Sequence, residues 1–260
     1  MLALVVSRPL QTALVNADDP SGVVRVLVVT LACTAAAAVV VHVARLGDPR
    51  RQLTAGARAL VQLAVVGLVI AAVLSSWPWT IAFCVLMTVV AALTAGRRVW
   101  STWTGWALVP LLCGLLPVIA LLLLSGVVPL KPVSVVPVLG ILIGNAMTAT
   151  TLSGKRLLQA WEERWGEFEA ALSIGLPHRE AAVTVVRDDA ALALVPGLDQ
   201  TRTVGLVTLP GAFVGVMLGG GSAWQAAAVQ LVVLAALLLV QAVTVAVMIE
   251  LVVRRTTRPA

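Results

Sequence analysis

The chain alternates long stretches without a charged side chain with short polar breaks. Residues 59–96, 99–130, 132–154 and 203–249 carry no charge, Arg97 and Arg98 excepted at the first border. Crossing a hydrocarbon core about 30 Å thick takes about 20 helical residues at about 1.5 Å each. On that measure the pattern predicts seven spans. The first covers 26–44 and is ended by Arg45 and by Gly47-Asp48-Pro49. The run 59–96 is long enough for two, 59–75 and 79–96, with Ser75-Ser76-Trp77-Pro78-Trp79 as the turn between them. Two more cover 106–125 and 133–153. The run 203–249 breaks at Gly219-Gly220-Gly221-Ser222, which predicts spans at 203–219 and 224–250. The expected fold is an all-α polytopic membrane protein. It has one transmembrane domain over 23–258 and a short external N-terminal tail over 1–22. An odd number of spans places the termini on opposite sides.

Composition excludes most other classes. Sixty per cent of the residues are hydrophobic, 12% are charged, and the mean hydropathy is +1.03. A soluble domain is about a quarter charged, and a disordered chain is poorer in apolar residues. The net charge of +6 would suit nucleic acid, but its distribution has a membrane explanation. Fifteen of the eighteen Lys and Arg residues fall on one side of the seven-span arrangement; Arg8, Arg25 and Lys131 fall on the other. The basic side is cytoplasmic by the positive-inside rule. The N-terminus is then external and the C-terminus cytoplasmic. The eight tryptophans agree: Trp77, Trp79 and Trp224 fall at outer turns, and Trp100, Trp103, Trp106, Trp161 and Trp165 near the inner interface. The protein belongs in the plasma (inner) membrane, with no nucleic-acid partner.

Little in the chain can do covalent chemistry. Cys33, Cys84 and Cys113 lie in three different spans and read as packing residues. His42 and His178 lack partners at metal-ligand spacing, so no metal site is expected. No nucleotide-binding glycine motif and no nucleophile elbow occurs. The chain is expected to be non-catalytic and to carry no cofactor. Only Glu250 touches a span among the acidic residues, and it does so at the inner end. Carriers coupled to protons or sodium normally place carboxylates or histidines within the membrane. Their absence points to energy supplied by another subunit.

The one long polar region is 154–202. Leu157, Trp161, Trp165, Phe168 and Leu172 recur at helical spacing, so the fifth span should continue as an amphipathic helix toward Leu172. Gly175 can end that helix, and Pro177 suits the first turn of the next. In that second helix Val183, Val186, Ala190 and Leu194 share a face; Pro196-Gly197 breaks it, and the residues from Asp199 to Thr203 offer caps for the sixth span. The result is a cytoplasmic helical hairpin that either anchors the loop at the interface or docks a partner.

Small and polar residues mark two spans. Gly140, Gly144 and Thr148 are four apart, as are Gly211, Gly215 and Gly219. Such stripes let helices approach closely, within one chain or between two. Pro210-Gly211 predicts a kink or hinge near the start of span six. Asn145, Thr148 and Thr151 put polar groups on adjacent turns of span five, with Met147 beside them; Gln230 and Gln241 lie eleven apart on span seven. These serve either helix–helix hydrogen bonding or a polar strip facing a pathway, and Met147 reads as filler.

The hairpin turn reads Glu169-Ala170-Ala171-Leu172-Ser173-Ile174-Gly175, which resembles the EAA loop of ATP-binding-cassette (ABC) permeases. Ile143-Gly144-Asn145-Ala146-Met147-Thr148-Ala149-Thr150, the EAA segment, and Thr203 to Phe213 together look like the FetB-type permease family, whose plant relatives are the aluminium-sensitive and STAR-type proteins. Arg58-Ala59-Leu60-Val61-Gln62-Leu63 is similar as well. The resemblance runs from about Arg45 to Leu251. It implies a homodimeric permease driven by a separate cytoplasmic ATPase that binds the ATP, with iron or another metal as an exported solute. Glu169, Ala170, Ala171, Gly175 and Pro177 would then couple to the ATPase. The rival classes are an autonomous secondary carrier or channel and a membrane scaffold for a cytoplasmic partner.

The orientation is directly testable. A reporter fused after Arg258 is expected on the cytoplasmic side and one before Arg8 on the external side; both on one side would rule out an odd number of crossings.

Overall fold

A computed structural model describes residues 19–100 and 105–256. Most of the N-terminal tail, Trp103 and Arg258 lie outside the described residues. The described residues are helical almost throughout: α1 (Pro20–Val43), α2 (Arg50–Ser75), α3 (Trp77–Val99), α4 (Leu108–Leu124), α5 (Pro132–Glu163), α6 (Trp165–Ser173), α7 (His178–Ala191), α8 (Val195–Thr203), α9 (Gly211–Leu218) and α10 (Ala223–Thr256). Short 3-10 turns precede α4 and join α7 to α8. Six of the helices are long and apolar enough to cross a membrane: α1, α2, α3, α4 with its preceding turn, α5 and α10. The protein is a multi-pass membrane protein.

The chain forms two compact units, residues 1–72 and 73–260. In the first, α1 ends at a turn in which Arg45 and Gly47 have positive φ, and the Asp48 carboxylate accepts a hydrogen bond from the Arg50 amide at 2.9 Å. The break expected at Arg45 to Pro49 is thus a left-handed turn followed by an Asp-capped helix start. Gly56 sits against the Thr34 side chain, whose Cγ2 would lie 2.6 Å from a methyl group placed on it, so α1 and α2 approach closely there.

The second unit is organised around α10, which packs on α4, α5, α7, α8 and α9. One face of α10, running through Ala226, Val233, Leu237, Val240, Thr244, Met248 and Val252, is buried at the spacing expected of a helix surrounded on one side. Ser76 alone, in extended conformation, separates α3 from the preceding helix, with Pro78 in the first turn of α3. Thr80 donates to the Val73 carbonyl at 2.8 Å and closes that turn. Gly114 of α4 lets α10 come close, and Thr244 donates to the Pro110 carbonyl at 3.3 Å beside it.

Two contacts set the relative direction of α5 and α10. Asn145 of α5 bonds Gln241 of α10, and one helical stretch further on Gly154 lies against Met248. Residue number therefore rises the same way along both helices, and α5 and α10 cross in the same direction. The chain must return to the starting face between them. The segment that does so meets α10 at Arg179–Glu250, then at Gly197–Gln241, and finally along α9, which doubles back onto α10 through Gly220 at φ +85°.

This corrects the expected sixth span. Residues 203–219 do not form a continuous helix. The return crossing is broken: α8, an irregular stretch from Val204 to Pro210, then α9, which is eight residues long. Gly205 has φ +80°, and Pro210 sits at the N-cap of α9. The break falls where Pro210-Gly211 predicts one. Two other expectations also change. The fifth span does not run on unbroken to Leu172, because Arg164 leaves helical geometry (φ −114°, ψ 27°) between α5 and α6. Pro196 does not end the second amphipathic helix; it occupies the first turn of α8, where a proline lacks no needed donor. Asp199 and Thr203 are consequently inside α8 rather than caps of a later helix.

A methyl group on Gly114 would overlap the Thr244 hydroxyl and lie 2.9 Å from the Val240 carbonyl, a backbone atom that cannot swing away. On Gly67, where nothing lies within 4 Å, the same methyl is free. Gly114→Ala is expected to destabilise the detergent-solubilised protein by about 1–3 kcal/mol, while Gly67→Ala leaves it unchanged or more stable by up to about 1 kcal/mol. Thermal denaturation of the two variants checks this.

Candidate functional site

Two regions collect the residues singled out by the sequence. The first is the turn between α6 and α7. Gly175 has φ +89°, a conformation that other residues adopt only with strain, and a Cβ there would meet nothing within 4 Å. The amides of Gly175 and Leu176 bond the carbonyls of Leu172 and Ala171, which closes α6 in a left-handed cap. Pro177 (φ −58°) then opens α7. Glu169 and Ala170 are exposed, Ala171 is half-buried, and Ile174 projects with 78% of its surface free. The Glu169 carboxylate accepts from the Trp165 indole at 2.9 Å. The turn thus presents an apolar knob beside a carboxylate.

Behind the turn the hairpin is fixed to the second unit. Phe168 is buried and stacks with Trp161 at 4.9 Å, Trp165 at 5.1 Å and His178 at 6.0 Å between ring centroids. Arg164 ties three pieces together. Its guanidinium donates to Glu167 at 2.8 Å, to the Val185 carbonyl at 2.8 Å and to Asp189 at 3.1 Å. Those N–H donors hold the Glu167 carboxyl below the usual carboxylate range. Ala181, Ala182, Val185, Val186 and Ala190 bury one face of α7 against α5 and α10. Val183 is only partly buried, so the packed face is rotated from the one the spacing suggests. The Arg164 network has no sequence signal, because its partners are 3, 21 and 25 residues away.

The second region is the polar strip of α5 and α10. Asn145 donates to the Ile141 carbonyl at 2.9 Å and accepts from Gln241 at 3.2 Å. Thr148 and Thr151 donate to carbonyls four residues back, at 3.0 and 2.8 Å. Thr148 is exposed, Asn145 and Met147 are half-buried, and Thr151, Gln230 and Gln241 are buried. The side-chain carbonyl oxygens of Gln230 and Gln241 are buried without a hydrogen-bond partner. Structure therefore joins Asn145 to Gln241 and leaves Gln230 apart. Gly140 lies close to Met87, whose methyl carbon would be 3.2 Å from a Cβ placed there. Methyl groups on Gly144, Gly211 or Gly215 would meet nothing within 4 Å, and Gly219 meets only its own helix.

Among the described residues no three His, Cys, Asp or Glu side chains come together as a metal site would require.

Comparison with known proteins places these features in a family. The profile of an uncharacterised protein family, UPF0014, matches residues 24–257. The UPF0014 membrane protein STAR2 of Oryza sativa subsp. japonica is 38% identical over 194 residues, 73% of this chain and 68% of that one. Protein ALUMINUM SENSITIVE 3 of Arabidopsis thaliana is 35% identical over 68% of this chain and 66% of its own length. The probable iron export permease protein FetB of Escherichia coli is 36% identical over 102 residues, 39% of each chain. No solved structure matches.

Asn145→Leu and Gln241→Leu each remove one partner of this bond, and the double variant removes both. The pair is expected to show a coupling of about 0.6–1.7 kcal/mol in thermal denaturation. The single Asn145 variant should be less stable than the double one. Simple additivity would mean that the bond contributes nothing to helix packing.

Proposed function

Because the chain belongs to the UPF0014 family, we propose that it is the membrane-spanning permease subunit of an ABC transporter, working as a homodimer with a separate cytoplasmic ATPase in the plasma membrane. The observation that carries this reading is the α6–α7 turn. It combines an EAA segment whose Glu169 and Ala170 are exposed, an apolar knob at Ile174 and a glycine held at positive φ, on a hairpin whose α6 is tied to α5 and α7 through Arg164 and Phe168 and whose α7 packs on α5 and α10. A rigid hairpin of this kind passes a push on Glu169, Ala170, Ala171, Gly175 and Pro177 to the ends of α5 and α10. A mobile loop would absorb it. The ATPase would bind and hydrolyse ATP; this chain would bind no nucleotide.

The open faces of Gly144 on α5 and of Gly211 and Gly215 on α9 supply surfaces onto which a second copy could pack closely. Pro210 and Gly211 would serve as the hinge of the broken crossing. The solute path would run along the face of α5 that carries Asn145, Met147, Thr148 and Thr151, with Gln230 and Gln241 of α10 as further candidates. Export of iron or another metal is carried over from the name of the bacterial relative. A secondary carrier is the second reading. It is favoured by one observation, the position of Asp199 on α8, which the sequence assigned to a cytoplasmic segment. Transport by this chain alone in vesicles without ATP would select it.

Gly175→Val tests the first reading. The added side chain has room, so the change acts through backbone strain of about 1–2 kcal/mol confined to the turn. Insertion and thermal stability should be nearly unchanged, while recovery of the ATPase with the detergent-solubilised subunit should fall several-fold. Equal recovery with wild-type transport would return the turn to an interfacial anchor.

A further inference from the structure

Two charged residues of α8, Asp199 and Arg202, sit beside its contact with the middle of α10. Gly197 of α8 is pressed against the carboxamide of Gln241, so closely that a methyl group on it would overlap the side chain. Glu250, the first charged residue on α10, comes nine residues after Gln241, about 14 Å along a helix. Lys155 likewise follows Asn145, the partner of Gln241, by ten residues, about 15 Å. The contact is thus well inside a hydrocarbon core about 30 Å thick. Asp199 and Arg202 follow Gly197 by two and five residues on the same helix, within about 3 and 8 Å along its axis. Both point away from the packed core. Their side chains are 60% and 72% exposed, and their closest approach to each other is 3.9 Å.

A second, independent observation lies next to them. From Val204 to Pro210 the backbone is not helical. The Thr203 carbonyl accepts from the amides of Leu206, Val207 and Thr208, and the Gly205 amide donates to the Thr208 carbonyl. Among the described residues, the carbonyl oxygens of Val204, Gly205, Leu206 and Val207 accept no hydrogen bond. Non-helical backbone and ionised side chains at membrane depth occur where they meet protein or a water-filled cavity, not lipid.

We propose that α8 and the turn after it line a water-filled cavity within the membrane, open to the cytoplasmic side, in which Asp199 and Arg202 form a charged wall met by a hydrophilic solute. The solute clause rests on the transport reading above; the cavity does not. Water satisfies the bare carbonyls and hydrates both charges, and a carboxylate beside a guanidinium offers polar solutes both an acceptor and a donor. An apolar or lipid-like cargo would find neither surface favourable.

The test is thiol accessibility in the full chain, in inverted membrane vesicles, with Cys33, Cys84 and Cys113 replaced by alanine. Single cysteines are placed at Asp199, Gln200 and Arg202, with Ile174→Cys as the exposed control and Leu231→Cys as the lipid-facing one. The reagents are membrane-impermeant methanethiosulfonates, one cationic and one anionic. Rates at all three α8 positions are expected within about tenfold of Ile174→Cys, with Leu231→Cys unmodified. Charge gives a second readout. Asp199→Cys leaves Arg202 alone and should favour the anionic reagent, whereas Arg202→Cys leaves Asp199 alone and should favour the cationic one. If one charge deletion disturbs folding, Gln200→Cys still reports access. Protection of all three, as at Leu231→Cys, would overturn the cavity and place α8 against protein, such as a second copy. Modified cysteines in a protein that recovers no ATPase would support the cavity and count against the transporter reading alone.

Discussion

Two neighbouring helices crossing the bilayer in the same direction leave a chain one geometric choice: it must come back between them. α5 and α10 are such a pair, held in register by the Asn145–Gln241 bond and by the fit of Gly154 against Met248. Everything between them is shaped by that requirement. The hairpin of α6 and α7, the helix α8, the broken turn and the short α9 are successive stages of one return path. The path is tied to α10 at the Arg179–Glu250 ion pair and at Gly197. The same alignment makes the turn at Gly175 and the charged face of α8 parts of a single connected element.

That continuity bears on how a cytoplasmic event could reach the membrane interior. Arg164 joins the end of α5 to both helices of the hairpin, and α7 runs into α8 through a 3-10 turn without leaving the helical region. Phe168 fills the space between. A displacement at Ile174 would then move α8 along Gln241. The contact there is a glycine against a carboxamide with an unpartnered oxygen. A contact of that kind resists sliding less than interlocked branched side chains do.

Much of this architecture could be read from the sequence, and the reasons differ by element. Charge-free length located α1 to α5 and α10, because a continuous span must be apolar all along. Gly175 was legible because few residues other than glycine adopt its φ. Pro210-Gly211 marked the break for a similar local reason. The break in the segment before α10 was misread. Residues 203–219 passed as a span because they lack charge, although Gly205 and Pro210 leave only eight helical residues after the turn. Asp199 and Arg202 marked residues 195–202 as polar, and the contact of Gly197 with Gln241 of α10 has no local signal. Hydropathy reads charge and length, and neither reports the helix break that Gly205 and Pro210 introduce. The bonds of Arg164 to Val185 and Asp189 and the Asn145–Gln241 pairing depend on partners distant in sequence, which no local pattern encodes.

The eight-residue α9 carries a consequence for biogenesis. A helix of that length is about 12 Å long, too short to be recognised and released into the bilayer as an independent segment. The charges of α8 exclude that helix from the same route. Neither α8 nor α9 therefore resembles a segment that inserts by itself. Both pack on α10, whose buried face carries Gln241 and Ala226. The last helix made is thus the one that completes the packing of the segment made before it.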